Sequence, residues 1–76
     1  MNKVRRARVD EVIEKLQELQ SEVENIMDEE TEYRDNIPEN MQQSERYETA
    51  DQNCDGLQSA YDSIEEAIDQ LEESKA

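Results

Sequence analysis

A chain of 76 residues carries one small domain at most, and a domain of that size leaves too much surface in water to enclose an enzyme-sized pocket. With 22 acids against eight bases, its formal net charge of −14 would be repelled by a nucleic-acid backbone or an anionic lipid surface, which excludes direct nucleic-acid and membrane partners and favours a basic protein. The chain has no His, Trp or Phe and only one Gly, one Pro and one Cys, an inventory that disfavours strands and hairpins and rules out a disulfide within the chain.

The basic start, with Lys3, Arg5, Arg6 and Arg8, is followed by no apolar run of the kind a signal peptide or a membrane span requires, so the expected location is cytoplasmic. From Val9 onward apolar residues recur at Val12, Leu16, Leu19, Val23 and Ile26, then at Tyr33 and Ile37, in steps of three and four interrupted by Glu30. This is a heptad seam, and it predicts a helix over about residues 3–35. Pro38 blocks helical continuation, so residues 36–43 form a turn. Ser44 is the favoured cap of a second helix over about 44–74, with Glu45 and Glu48 in its first turn. There the seam resumes at Tyr47, Ala50, Cys54, Leu57, Tyr61, Ile64, Ile68 and Leu71.

The fold class is therefore all-α, an antiparallel two-helix hairpin of coiled-coil type forming a single domain over residues 1–76. If facing residue numbers sum to 80, Val12 meets Ile68, Leu19 meets Tyr61, Ile26 meets Cys54, Glu30 meets Ala50 and Tyr33 meets Tyr47. The same topology brings the basic start of the first helix beside Glu65, Glu66, Asp69, Glu72 and Glu73. Charges that oppose each helix dipole then attract one another. Ile13 and Met27 flank the first seam, and Ala60 and Ala67 flank the second, which widens the apolar face and predicts dimerisation into a four-helix bundle through those four residues.

Residues 51–62, DQNCDGLQSAYD, have the spacing of a calcium loop, with Asp51, Asn53 and Asp55 at alternating ligand positions, Gly56 at the sharp turn and Asp62 twelfth. Cys54, Leu57 and Tyr61 nevertheless keep the heptad phase through the segment, which favours plain helix and no metal. Cys54 on the seam is expected to act as a small hydrophobe, since no His lies anywhere in the chain to activate it. Clusters such as Glu29-Glu30 and Glu65-Glu66 lack the histidines of helix-bundle metal sites, so no catalytic residue and no cofactor is expected. Tyr33 and Tyr47 are expected to close the core next to the turn, with an exposed pair that anchors a partner as the alternative, and Glu30 against Ala50 is the one polar layer, which either fixes the register or marks where a partner or water enters.

Charge is unevenly spread, because residues 16–76 hold 19 acids against three bases while the first fifteen residues are net +2. The linker and helix start DNIPENMQQSERYE, residues 35–48, between an acidic helix that begins with Lys and Arg and one rich in Ala, Ile and Glu, resemble those of small acidic hairpin proteins encoded by phages and mobile elements of Gram-positive bacteria. The resemblance implies a protein that binds and blocks a host protein, defence nucleases included, in some cases by imitating nucleic acid. The expected function is thus a non-enzymatic, dimeric inhibitor that presents Glu24, Asp28, Glu32 and Asp35 on the first helix, with Asp51, Asp55 and Asp62 on the second, to a basic groove. Two alternatives compete with it: a structural coiled-coil scaffold, and a calcium-responsive module at residues 51–62.

Overall fold

The first 35 residues contain neither Gly nor Pro, and Glu, Gln, Leu, Arg and Lys supply most of the helix-favouring side chains. In the computed structural model, which describes all 76 residues, helix α1 runs Lys3–Asp35 and helix α2 runs Glu45–Ser74. Asn2 caps α1, its Oδ1 accepting the Arg5 amide at 2.8 Å. At the other end the amides of Asn36 and Ile37 turn back onto the carbonyls of Glu32 and Arg34, after which Pro38 holds extended backbone at φ −54° and ψ 144°. A 3-10 turn over Glu39–Met41 reverses the chain. Ser44 then opens α2 by accepting the Tyr47 amide at 3.3 Å, with Glu45 and Glu48 set in the positively polarised first turn.

The helices pack antiparallel into an all-α hairpin measuring 59 × 15 × 11 Å. Neither is long and apolar enough to cross a membrane. Chain ends meet at one end of the rod, where the Met1 ammonium donates to the Ala76 oxygen at 2.8 Å and Lys75 Nζ reaches Asp10 Oδ1 at 2.9 Å.

On α2 every seam residue is half-buried or buried, with Ala50, Cys54 and Ile68 deepest, and Asp51 and Ala67 beside the seam are half-buried as well. On α1 the structure departs from the sequence expectation. Val9, Leu16 and Val23 are half-buried as the heptad requires, but the alternate positions belong to Ile13, Gln20, Met27 and Arg34 instead of Val12, Leu19, Ile26 and Tyr33. Ile13 is 5% exposed, whereas Val12, Leu19 and Ile26 are 45%, 51% and 49% exposed. Consecutive residues lie about 100° apart around a helix, so α1 has rolled by part of that angle about its axis. Ile13 therefore belongs to the hairpin core and is withdrawn from the proposed dimer surface, and half-buried Met27, about four turns further along α1, turns to the same side.

Apolar content does not explain the roll, since the Val12, Leu19, Ile26 and Tyr33 side of the Val9, Leu16 and Val23 line carries four apolar residues against Ile13 and Met27 on the other. Polar partners accompany it instead. Rolling toward Gln20 lets its Nε2 donate to Glu65 Oε2 at 2.6 Å and lie 3.5 Å from the Tyr61 carbonyl, which leaves the buried amide satisfied. Arg34 gains Asp51 at 2.9 Å by the same motion. The layers expected between Ile26 and Cys54 and between Tyr33 and Tyr47 do not form as buried pairs, because Ile26 and Tyr33 face outward.

The attraction expected at the terminal end also takes another form. Lys3, Arg5 and Arg8 make no ion pair within 4 Å; Arg6 Nε instead donates to the Lys75 carbonyl at 3.0 Å, closing the carboxyl end of α2, where a cation suits the helix dipole. Lys75 holds its proton above the ordinary lysine range because it is hydrogen-bonded by Asp10 and, next, by Glu72.

With only four ion pairs, all partly exposed, salt has little attraction to weaken, since each such pair is worth about 0–1 kcal/mol. Self-repulsion among 22 acids outweighs them. Raising ionic strength from about 0.01 M to 1 M shortens the Debye length from about 30 Å to 3 Å, so the thermal midpoint followed by circular dichroism should rise. A fall would mean that the ion pairs dominate the repulsion.

Candidate functional site

The hairpin has two unlike flanks, which the contacts between helices define. On one flank lie Asp10 with Lys75, Gln20 with Glu65, Thr31 with Cys54, and Arg34 with Asp51, pairs whose residue numbers all sum to 85. This flank is polar and latched. On the other, Arg46 Nε donates to the Tyr33 hydroxyl at 2.6 Å, with the guanidinium carbon 5.2 Å from the ring centroid. These numbers sum to 79, and the same register sets Ile26 beside Asn53, Leu19 beside Ala60 and Val12 beside Ala67.

The acids of α2 respect this division. All ten fall in the series 48-55-62-69, 51-65-72 and 45-66-73. None falls in the adjacent series 46-53-60-67-74 or 49-56-63-70, which carry Ala, Asn, Ser, Thr, Gly and Gln with Arg46 as the only charge. Helical spacing places those two neutral series on the Tyr33–Arg46 flank, next to the exposed Val12, Leu19 and Ile26. One face of α2 is thus free of negative charge, although the chain as a whole is strongly acidic.

Among the acids expected to contact a partner, Glu24, Asp28, Glu32, Asp35, Asp55 and Asp62 are exposed and Asp51 is half-buried. Arg34 occupies two of them, Asp35 at 3.1 Å and Asp51 at 2.9 Å. Those hydrogen bonds, first to Asp35 and then to Asp51, hold the guanidinium above its ordinary pKa. Asp62 accepts from Gln58 Nε2 at 3.0 Å, one turn back along the helix. Glu24, Asp28, Glu32 and Asp55 have no cation within 4 Å. The free carboxylates are therefore spread along the rod and do not converge on a pocket. Sequence reasoning missed Arg34, Gln20 and Lys75 as the residues that latch the flank, since their signal is only the pairing of unlike polar groups at a constant register.

Residues 51–62 are helix throughout, and no glycine takes a positive φ. Eleven residues of helix separate Asp51 from Asp62 by about 16 Å, so these side chains cannot enclose one ion in this conformation. No group of three or more His, Cys, Asp or Glu side chains converges elsewhere. Gly56 is exposed, and a Cβ added there meets nothing within 4 Å. Gly56→Ala should thus raise stability in dilute solution by about 0.5–1 kcal/mol, read from urea unfolding, because it removes the helix penalty of glycine at no steric cost. Were the segment to work as a calcium loop, the same substitution would disrupt it.

Cys54 is buried, with Thr31 Oγ1 at 3.6 Å from its sulfur. It fills the core as a small apolar residue. Beside Tyr33 and Arg46 an open groove passes over Glu30, Ala50 and Asn53, where the half-buried Glu30 meets solvent instead of forming a sealed polar layer.

No protein-family model matches this chain, no curated protein matches it, and no solved structure matches it.

Proposed function

We propose that the chain is a non-enzymatic acidic rod that binds another protein by occupying a basic, nucleic-acid-binding surface, and that in the phage setting its linker resembles it blocks a host or defence protein. The observation that carries this function is the density of free carboxylates. Twenty-two acids over 59 Å give about one per 2.7 Å, against one phosphate charge per 1.7 Å of duplex DNA, and only Asp10, Asp35, Asp51 and Glu72 are neutralised by ion pairs. Glu24, Asp28, Asp55 and Asp62 are the leading contacts, because they are exposed and unpaired with cations; Glu32 joins them, and Asp35 and Asp51 contribute around Arg34.

Capture of host proteins on the immobilised hairpin, followed by elution with duplex DNA or single-stranded RNA, tests the mechanism. The expected result is a captured nucleic-acid-binding protein that the polyanion displaces and whose own nucleic-acid binding the hairpin inhibits, each with steep salt dependence. A captured protein that binds the hairpin and nucleic acid simultaneously would overturn it.

The structural scaffold draws on a different observation, the exposed apolar residues of α1. If scaffolding is the function, substitutions at Leu19 and Ile26 abolish it while the outward acids are replaceable.

A further inference from the structure

The polar flank is closed by its own contacts, but the opposite face presents half-exposed Val12, Leu19 and Ile26 beside the charge-free side of α2. These side chains span about 21 Å from residue 12 to residue 26, and Tyr33 extends the line by another turn or two. The apolar sector of α1, from Val12 and Ile26 on one side to Ile13 and Met27 on the other, is about 100° wide. That width suits a helix with neighbours on two sides, whereas a two-stranded seam is narrower. In the hairpin only one neighbour is present.

We infer that the neighbour is a second copy of this chain, packed face to face with its rod reversed, so that α1 lies antiparallel to α1 of the second copy and the turn of each hairpin sits by the chain ends of the other. Charge complementarity selects this occupant and this orientation. The first fifteen residues of α1 hold five bases against three acids, and residues 16–35 hold eight acids against one base. Reversal about Glu22, near the middle of the Val12–Tyr33 line, brings these unlike halves together. Along the rim of the apolar line run Arg8, Lys15, Glu22 and Glu29, and the reversed register sets Lys15 level with Glu29 of the second copy, twice by symmetry. The stack with chain ends together also offers the basic start an acidic partner, residues 65–74 at net −5, but it lays residues 16–35, at net −7, against residues 45–64 of the second copy, at net −4, and that repulsion is the larger effect. Between the α2 helices the reversed stack brings neutral faces together, with Asn53, Ala60 and Ala67 small enough to admit close approach. Ala60 and Ala67 keep their place on the dimer surface; Leu19 and Ile26 replace Ile13 and Met27.

The interface does not depend on the proposed inhibitory function, and it leaves Glu24, Asp28, Asp55 and Asp62 outward. Sedimentation equilibrium across a concentration series should return twice the 8.9 kDa chain mass, and Leu19→Glu with Ile26→Glu should return the single-chain mass with helicity retained. Orientation is read separately. The reversed register places Glu22 against its own copy on the two-fold axis, so Glu22→Cys in a Cys54→Ala background should form a covalent dimer on oxidation, while Glu14→Cys, on the outer side of α1, should not. A chain that stays monomeric into the millimolar range overturns the inference. So does a dimer that survives the double Glu substitution, or one in which Glu22→Cys fails to cross-link.

Discussion

Replacing Ile13 by Ala should lower the unfolding free energy by about 2–4 kcal/mol in dilute urea titrations, whereas Ile26→Ala should lower it by less than about 1 kcal/mol. The two isoleucines have the same chemistry and differ in burial, with Ile13 5% and Ile26 49% exposed. Removing a buried isoleucine forfeits its transfer free energy and leaves space that two helices can only partly close. For a chain of this length the total stability is about 4–11 kcal/mol, so Ile13→Ala removes a large share of it and shifts the midpoint well outside error. Heptad counting alone ranks the two in the opposite order, since it places Ile26 on the seam and Ile13 beside it. Equal effects would mean that α1 sits with its seam centred, and Val12, Leu19 and Ile26 would then face α2 instead of solvent.

That contrast marks where the sequence stops being informative. The hairpin itself was legible because Pro38 ends one heptad series, Ser44 can cap the next, and both series are long enough to fix the helical period. The roll of α1 was not. Apolar residues flank the Val9, Leu16 and Val23 line on both sides, but Val12, Leu19, Ile26 and Tyr33 outnumber Ile13 and Met27, so the pattern points to the centred seam. Polar pairs far apart in sequence go with the other orientation: Gln20 with Glu65, Arg34 with Asp51 and Asp10 with Lys75. Each is ordinary on its own, and only the shared register makes the set coherent.

The candidate site shows the same division. Exposure of Glu24, Asp28, Asp55 and Asp62 follows from heptad position, since all four lie away from both seams. The capture of Asp35 and Asp51 by one arginine does not, because it depends on the roll that brings Arg34 half into the interface. The neutral face of α2 was present in the sequence as an absence of acids from two heptad series, but its meaning required knowing that it adjoins the exposed side of α1.

The second large effect concerns those four free carboxylates. Exchanging Glu24→Gln, Asp28→Asn, Asp55→Asn and Asp62→Asn together should weaken binding to the captured partner by about 1–4 kcal/mol, roughly five- to a thousandfold, if each exposed pair contributes the usual 0.2–1 kcal/mol. The loss should be largest at low salt and shrink as salt rises, because fewer counterions are released by the neutralised rod. The substitutions change the formal net charge from −14 to −10 and touch no buried residue, so the same protein should be at least as stable as the parent, its self-repulsion being smaller. Weaker binding with undiminished stability separates a contact role from a folding role. If binding and its salt slope are unchanged while the fold is intact, the carboxylates serve only to keep the rod in solution, and the apolar face becomes the remaining surface through which this chain can act.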